Sequence, residues 1–297
     1  MLKHKKVFLT GSAGFIGRNI IDQLSQNFEI LHPGHAELDL LNREAVSKFL
    51  KLNKFDVVIH AANVGGKRSD VPGKLDLFET NKQMFLNLAE NKHYFGRMIF
   101  LGSGAEYGKQ TAVVMAKEAD FGKVLPVDEY GKAKVFASEY ILNHEGFLNL
   151  RCFSIFGKYE DYKVRIVSNA ICRALFRLPI VLNLNVKFDF LYVNDLVRII
   201  EHFILNEPKE KVYNASSGDP VEILELAEVV KEATGGITEI KVKNQGMGKE
   251  YTCNADLLKK ELGDFKFTPH KKAIEEMVLW YKENLHNVKK EDLGFDE

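Results

Sequence analysis

Three side chains in the middle of this 297-residue chain have the types and spacing for one piece of proton chemistry. In Tyr130-Gly-Lys-Ala-Lys134 the phenol and the second ammonium lie four places apart, so on a helix they share a face. A free phenol ionises near pH ~10, too high to trade protons at neutral pH. A neighbouring ammonium favours the phenolate, and a shift of about two units takes about 2.7 kcal/mol, within reach of a partly desolvated pair. Such a tyrosine could protonate a carbonyl oxygen whose carbon takes a hydride, or deprotonate an alcohol losing one. Ser103 follows the apolar run Met98 to Leu101, where its hydroxyl could hold the reacting oxygen. Each signal alone has a plain alternative: an exposed helix face for the pair, a loop-closing serine for Ser103.

A hydride needs a carrier, and the stretch Val7 to Gly17 supplies a place for one. A short apolar run ends in Gly11, Gly14 and Gly17, and an amphipathic segment (Arg18 to Leu24) follows at once. One glycine makes the turn, one admits backbone N–H groups to a pyrophosphate, and one lets helix and strand pack closely. The pyrophosphate would rest at the helix N-terminus, where free N–H groups and the dipole favour an anion.

These groups have to be positioned by a scaffold, and the chain has the rhythm of one. Buried runs at Val7–Leu9, Phe28–Leu31, Phe55–His60, Met98–Leu101 and Phe147–Phe153 alternate with helical patterns near 18–24, 43–52, 77–91 and 130–143. Only the span from Gly102 to Asp128 reads as a long loop. The alternation predicts an α/β fold with a Rossmann-type, doubly wound parallel sheet, its strands apolar because helices cover both faces. The ligand crevice belongs outside the carboxyl ends of the strands, where the turns at Gly11, Ala61-Ala62, Ser103 and Ser154 all fall.

Beyond Gly157 the rhythm loosens into a helix (164–175), a strand near 180–184, a strand at 188–193 running into a helix at 195–205, and short elements ending in two helices. Asp195 reads as that helix's N-cap. The expected division is a dinucleotide-binding domain (1–157 plus about 188–206) and a smaller C-terminal substrate-binding lobe (about 158–187 and 207–297).

Composition narrows the partners. Lysine plus arginine (41) equals aspartate plus glutamate (41), so no global field argues for nucleic acid or an anionic membrane. No apolar stretch approaches the ~20 residues that span a bilayer, and the N-terminal apolar run is too short for a signal peptide. Cys152, Cys172 and Cys253 are scattered, without metal-ligand spacing. A cytoplasmic protein with reduced thiols and no metal is expected.

With these motifs in view, the chain resembles the extended short-chain dehydrogenase/reductase family, specifically its nucleotide-sugar epimerases, dehydratases and reductases, over nearly its whole length. Thr10-Gly-Ser-Ala13-Gly14-Phe15-Ile16-Gly17 fits the fingerprint turn, Asp39-Leu40 the adenine-side pair, and His60-Ala61-Ala62 the strand-end motif beside the cofactor. Ser103, Tyr130 and Lys134 fit the catalytic triad, with Lys134 also on the nicotinamide ribose. Leu101 and Phe153 would border the cofactor too, and Arg151–Gly157, Phe188–Asp195 and Tyr213–Gly218 match later landmarks. The resemblance implies a nucleotide-diphosphate sugar as substrate and a homodimer formed through the helices near 77–91 and 130–143, with Val135, Phe136, Tyr140 and Ile141 as its apolar stripe.

The departures carry as much as the matches. The family's 4,6-dehydratases have an Asp-Glu pair just after the position of Ser103. Here Gly104-Ala105 stand there and Glu106 comes one place late. Local similarity to GDP-fucose synthases runs through Glu37–Val46, Ala61–Gly66 and Phe100–Ser103. Their epimerising cysteine is Ala105 here, and near their histidine stand Lys163, Val164 and Arg165. Reduction should therefore persist without epimerisation. Phe188 replaces an arginine that relatives hold near the diphosphate, leaving Lys187 or Arg165 to substitute, with Gly104 and Ala105 bordering the sugar. No acid ends the second strand, which reads His32-Pro-Gly-His35, so NADP(H) is favoured, with His32, His35 or Arg18 at its phosphate; NAD(H) is the alternative. The function expected is reduction of a nucleotide-diphosphate 4-keto-6-deoxysugar at C4. Its rivals are a C4-epimerase that retains NAD and a non-catalytic dinucleotide sensor.

Overall fold

The computed structural model describes residues 5–65 and 76–294; Gly66, the last residue of the Ala61–Gly66 motif, lies outside them. Elements follow in chain order: β1 (Lys6–Thr10), α1 (Phe15–Leu24), β2 (Glu29–Leu31), α2 (Arg43–Asn53), β3 (Phe55–His60), α3 (Leu77–Ala89), β4 (Phe95–Ser103), β5 (Val113–Ala116), α4 (Glu129–Asn143), β6 (Phe147–Cys152), β7 (Ile155–Phe156) and α5 (Ile166–Leu175). There follow β8 (Ile180–Leu182), β9 (Lys187–Phe188), β10 (Leu191–Tyr192), α6 (Val193–Leu205), β11 (Val212–Ala215), β12 (Val221–Glu222), α7 (Ile223–Ala233), β13 (Ile240–Val242), β14 (Tyr251–Cys253), α8 (Asp256–Leu262) and α9 (His270–Glu283).

Six strands form one parallel sheet in the order β11-β6-β4-β3-β1-β2. Its strands are apolar on both faces because each face is covered. On one side α1 and α6 pack over Val7, Leu9, Val57, Ile59, Leu148 and Leu150. On the other, α2, α3 and α4 enclose Phe8, Val58, Met98 and Phe100. A separate core, around Ile171, Leu226, Ile274 and Met277, joins α5, α7 and α9 into the C-terminal lobe. A small sheet, β12-β9-β14-β5, stands between that lobe and the end of β4. Among the described residues no helix is long and apolar enough to cross a membrane.

Several local expectations change. Gly102–Asp128 is not one long loop: it holds a 3-10 turn at Gly104–Tyr107, strand β5 and a second 3-10 turn at Glu118–Asp120. β5 exists because it pairs with β14, some 140 residues on along the chain, a partner no local pattern reveals. Strand β11, beyond the expected boundary at 206, is the sixth strand of the main sheet, paired in register with β6 (Asn214 opposite Arg151). It covers an edge that β6 would otherwise leave open. Asp195 is not an N-cap. It sits inside the first turn of α6, buried, accepting from the backbone N–H of Thr268 at 2.7 Å and its hydroxyl at 3.0 Å. Of the expected dimer stripe, Val135 and Ile141 are buried in this chain's own core, and Phe136 and Tyr140 are half-buried.

Candidate active site

The glycine turn has the backbone a pyrophosphate requires. Gly11 has φ +72°, and a Cβ there would stand 2.6 Å from the Ala62 nitrogen, so only glycine fits both the torsion and the contact. A Cβ at Gly17 would strike the Gly11 carbonyl; its absence lets α1 start tight against β1. Gly14 precedes α1 and offers no side-chain cap, which leaves the first N–H groups of the helix for an anion. A cavity of about 260 Å³ opens beside this turn, bordered by Gly11, Ala13, Gly34, Asp39, Leu40 and Ala62 among others. Turn, helix end and cavity together fit the pyrophosphate and adenosine of a dinucleotide.

The other residues expected at the cofactor divide into those on this cleft and those behind it. Phe15 and Ile16 open α1 and pack partly into the lobe core and the sheet core respectively, and Ala61 packs on the sheet core with its backbone against Gly11. His60 is 2% exposed and turned inward, joined at 2.8 Å to Thr10 Oγ1, which also accepts the Ala62 N–H at 3.1 Å. Burial, with Lys134 adding to it, pushes this imidazole down to about 3, so it holds the two strand ends together as a neutral group. Phe153 is fully buried against Tyr251, ring centres 4.8 Å apart. At the adenosine end, Arg18 lies over the ring of Tyr159 at 3.8 Å, and Glu37 accepts the Gly34 N–H at 2.7 Å. His35 stands 3.8 Å from Asp39, and the His32 carbonyl accepts from Ser12.

At the carboxyl end of β4 the three chemical groups meet. Asp128 caps α4, its carboxylate taking the Gly131 N–H at 2.8 Å, which fixes Tyr130 in the first turn. Lys134, one turn on, is buried; its Nζ lies 5.6 Å from the Tyr130 ring centre and donates to the Leu101 carbonyl at 2.7 Å. Burial lowers this amine to about 8, against the pull of Glu106. Burial raises Tyr130 to about 12, opposed by the nearby Ser103 hydroxyl and by the positive charge of Arg165.

Beneath Ser103 lies a network that sequence reasoning missed. Glu106 is 0% and Arg151 1% exposed, with Arg151 Nε 2.6 Å from the carboxylate. Glu106 also accepts from the Ser103 N–H at 3.0 Å and the Ser138 hydroxyl at 2.7 Å. Arg151 reaches Tyr107 at 3.0 Å, and Tyr107 donates to Asn214 of β11 at 2.7 Å. The late-coming carboxylate is therefore a strut under the site. Ala105 is fully buried and Gly104 is buried as well, so neither presents surface to a sugar. Arg165 is exposed at the start of α5. Lys187 is exposed and, one place before the inward-facing Phe188, projects from the opposite face of β9. Two further side chains stand close by: Lys109, its amine 5.7 Å from the Tyr130 ring centre, and Tyr251 from β14, whose hydroxyl occupies the place a Cβ on Gly104 would take.

A parallel sheet with a pyrophosphate turn at one strand end, and a serine, a tyrosine and a lysine at the next but one, is the architecture of a dinucleotide-dependent short-chain dehydrogenase/reductase. The sequence profile of the NAD dependent epimerase/dehydratase family matches residues 7–216, and the chain belongs to that family. It is 28% identical over 265 residues to a GDP-L-fucose synthase of Sinorhizobium fredii, covering 79% of this chain and 82% of the relative. Two solved structures share the fold at 21% identity and a TM-score of 0.80: a UDP-glucose 4-epimerase from Thermotoga maritima with UDP-glucose (94% of this chain, 99% of that one) and a GDP-mannoheptose C4 reductase from Campylobacter jejuni with NADP bound (95% and 99%).

Proposed function

We propose that this protein reduces the 4-keto group of a nucleotide-diphosphate 4-keto-6-deoxysugar, with NADP(H) favoured over NAD(H). The observation that carries the reading is the meeting of Ser103, Tyr130 and Lys134 at the carboxyl end of β4, on the same edge of the sheet as the pyrophosphate turn after β1. A bound nicotinamide would supply the hydride. Tyr130 gives its proton to the oxygen, Ser103 hydrogen-bonds that oxygen, and Lys134, still protonated at neutral pH, keeps a positive charge beside the phenol. Arg165 and Lys109, on the Tyr130 side, take the diphosphate. With glycine and alanine at 104 and 105 the site has no second acid and base there for eliminating water or inverting a neighbouring carbon. The GDP-L-fucose synthase and C4 reductase likenesses support the reading.

The purified protein, given NADPH and GDP-, CDP- or dTDP-4-keto-6-deoxysugars, should consume NADPH. Tyr130→Phe should lose activity by about 100-fold or more while keeping its circular dichroism spectrum and dinucleotide affinity. A folded wild-type protein inert toward all three sugars would overturn the proposal. Tightly held NAD in the purified protein would point to an epimerase instead.

A further inference from the structure

Two loops wall the adenosine end of the cleft, and α3 reaches both of them. Thr80, Met84 and Asn87 recur at helical spacing, so they share one face of that helix. Thr80 and Met84 border the cavity, as do Val64 from the loop after β3 and Leu38 to Leu41 from the stretch after β2. Asn81, also on α3, holds Val64 twice, accepting its N–H at 2.9 Å and donating to its carbonyl at 2.8 Å. Asn87 holds the other wall: its Nδ2 donates to the Leu40 carbonyl at 2.8 Å.

Asn87 is 0% exposed, and burying an amide costs free energy unless its polar atoms find partners. A carbonyl can only accept, so the NH2 end must face Leu40. Oδ1 is left to accept from Gln83, one turn back on α3, at 2.7 Å. The Leu40 wall has few other directional ties. Residues 38–42 carry no helix or strand. Their N–H bonds are local: Leu38 to the Gly34 carbonyl, Leu41 to the Asp39 carboxylate and Asn42 to the Asp39 carbonyl. Among the described residues, the hydrogen bond that joins this stretch to a distant element is the one from Asn87. Leu38 and Leu40 also pack into the core, but apolar packing has no direction of its own.

We propose that Asn87 is a positioning residue for dinucleotide binding: through the Leu40 carbonyl it orients the Asp39-Leu40 backbone that walls the adenosine site, and Gln83 orients Asn87. This rests on the dinucleotide part of the function proposed above, and not on the sugar.

Asn87→Leu removes the donor with little change in volume, and Asn87→Asp sets an acceptor against the Leu40 carbonyl. Each should raise the Kd for NADPH and for NADH by about fivefold or more in fluorescence titrations, Asn87→Asp the further. The fragments 2′,5′-ADP and AMP carry only the adenosine end and should lose affinity by the same factor. Backbone hydrogen exchange of the free protein should quicken at 38–42 and stay unchanged at 61–65, which Asn81 still holds. Gln83→Met, at an exposed position, should move affinity and exchange the same way by less, and stands in if neither Asn87 variant folds. A purely structural amide would lower the unfolding midpoint but leave affinity and the exchange at 38–42 as in the wild type. Wild-type affinity in folded Asn87→Leu, a loss for the dinucleotides that the fragments do not share, or unchanged exchange at 38–42 would overturn the proposal. The exchange measurement needs no ligand. A wild-type protein that bound neither dinucleotide would therefore count against the function proposed above, while exchange at 38–42 still decides whether Asn87 holds this wall.

Discussion

At the scale of single residues, the site is decided by which polar groups are buried and what faces them. Glu106 illustrates this. Its place in the sequence suggests a displaced catalytic acid, yet it is enclosed with Arg151, Ser138 and the Ser103 N–H. Removing one partner of a fully buried pair leaves the other charge uncompensated, at a cost of about 3–5 kcal/mol. Glu106→Gln should therefore destabilise the fold by that order, measured by urea unfolding, and loosen Ser103 with it. A loss under about 1 kcal/mol would contradict the strut role. Lys134 carries a second lesson. Tyr130 and Lys134 are neighbours as the four-residue spacing requires, but the amine is directed to the Leu101 carbonyl. Spacing fixes which face a side chain is on, and not which acceptor it finds.

At the scale of elements, periodicity made the large helices and central strands legible: α2, α3, α4 and β3 lie within a few residues of where apolar spacing puts them. The short strands had no period to read. β5 and β14, of four and three residues, are strands only because they find each other, and so Tyr251 could not be recognised from its surroundings. The turn between β7 and α5 shows a different kind of hidden feature. Glu160 is buried, with the Ser168 hydroxyl of α5 donating to it at 2.7 Å. Burial raises its carboxyl to about 8, despite Ser168 and Arg165 pulling the other way. Below about 4.5 the acid is neutral both folded and unfolded, and its contribution to stability is intact. As pH rises towards 8 the unfolded chain ionises and the folded one resists, so stability falls by up to about 1.4 kcal/mol per pH unit. Glu160→Gln should flatten that slope between pH 5 and pH 8 in urea midpoints. A variant with the wild-type slope would show that Glu160 is already ionised in the fold.

At the scale of the whole molecule, the dinucleotide cleft and the C-terminal lobe share one chain that leaves the main sheet after β6 and comes back to it at β11. A ligand that binds only the folded state stabilises it by about 2.7 kcal/mol at about 100 times its Kd. NADP(H) should therefore raise the thermal midpoint more than NAD(H) at equal concentration; the reverse order would set aside the NADP preference proposed above. The return strand has a consequence for how the protein is made. Asn214, on β11, accepts from Tyr107 and so completes the network that carries Glu106 and Ser103. While the chain is being synthesised, the nucleotide turn and five strands can emerge and assemble with β6 as an open edge, exposed to pairing with another chain. The support under Ser103 is finished only when residues 212–215 arrive. On the function proposed above, the nascent chain would therefore gain its dinucleotide cleft before it gains the support for chemistry.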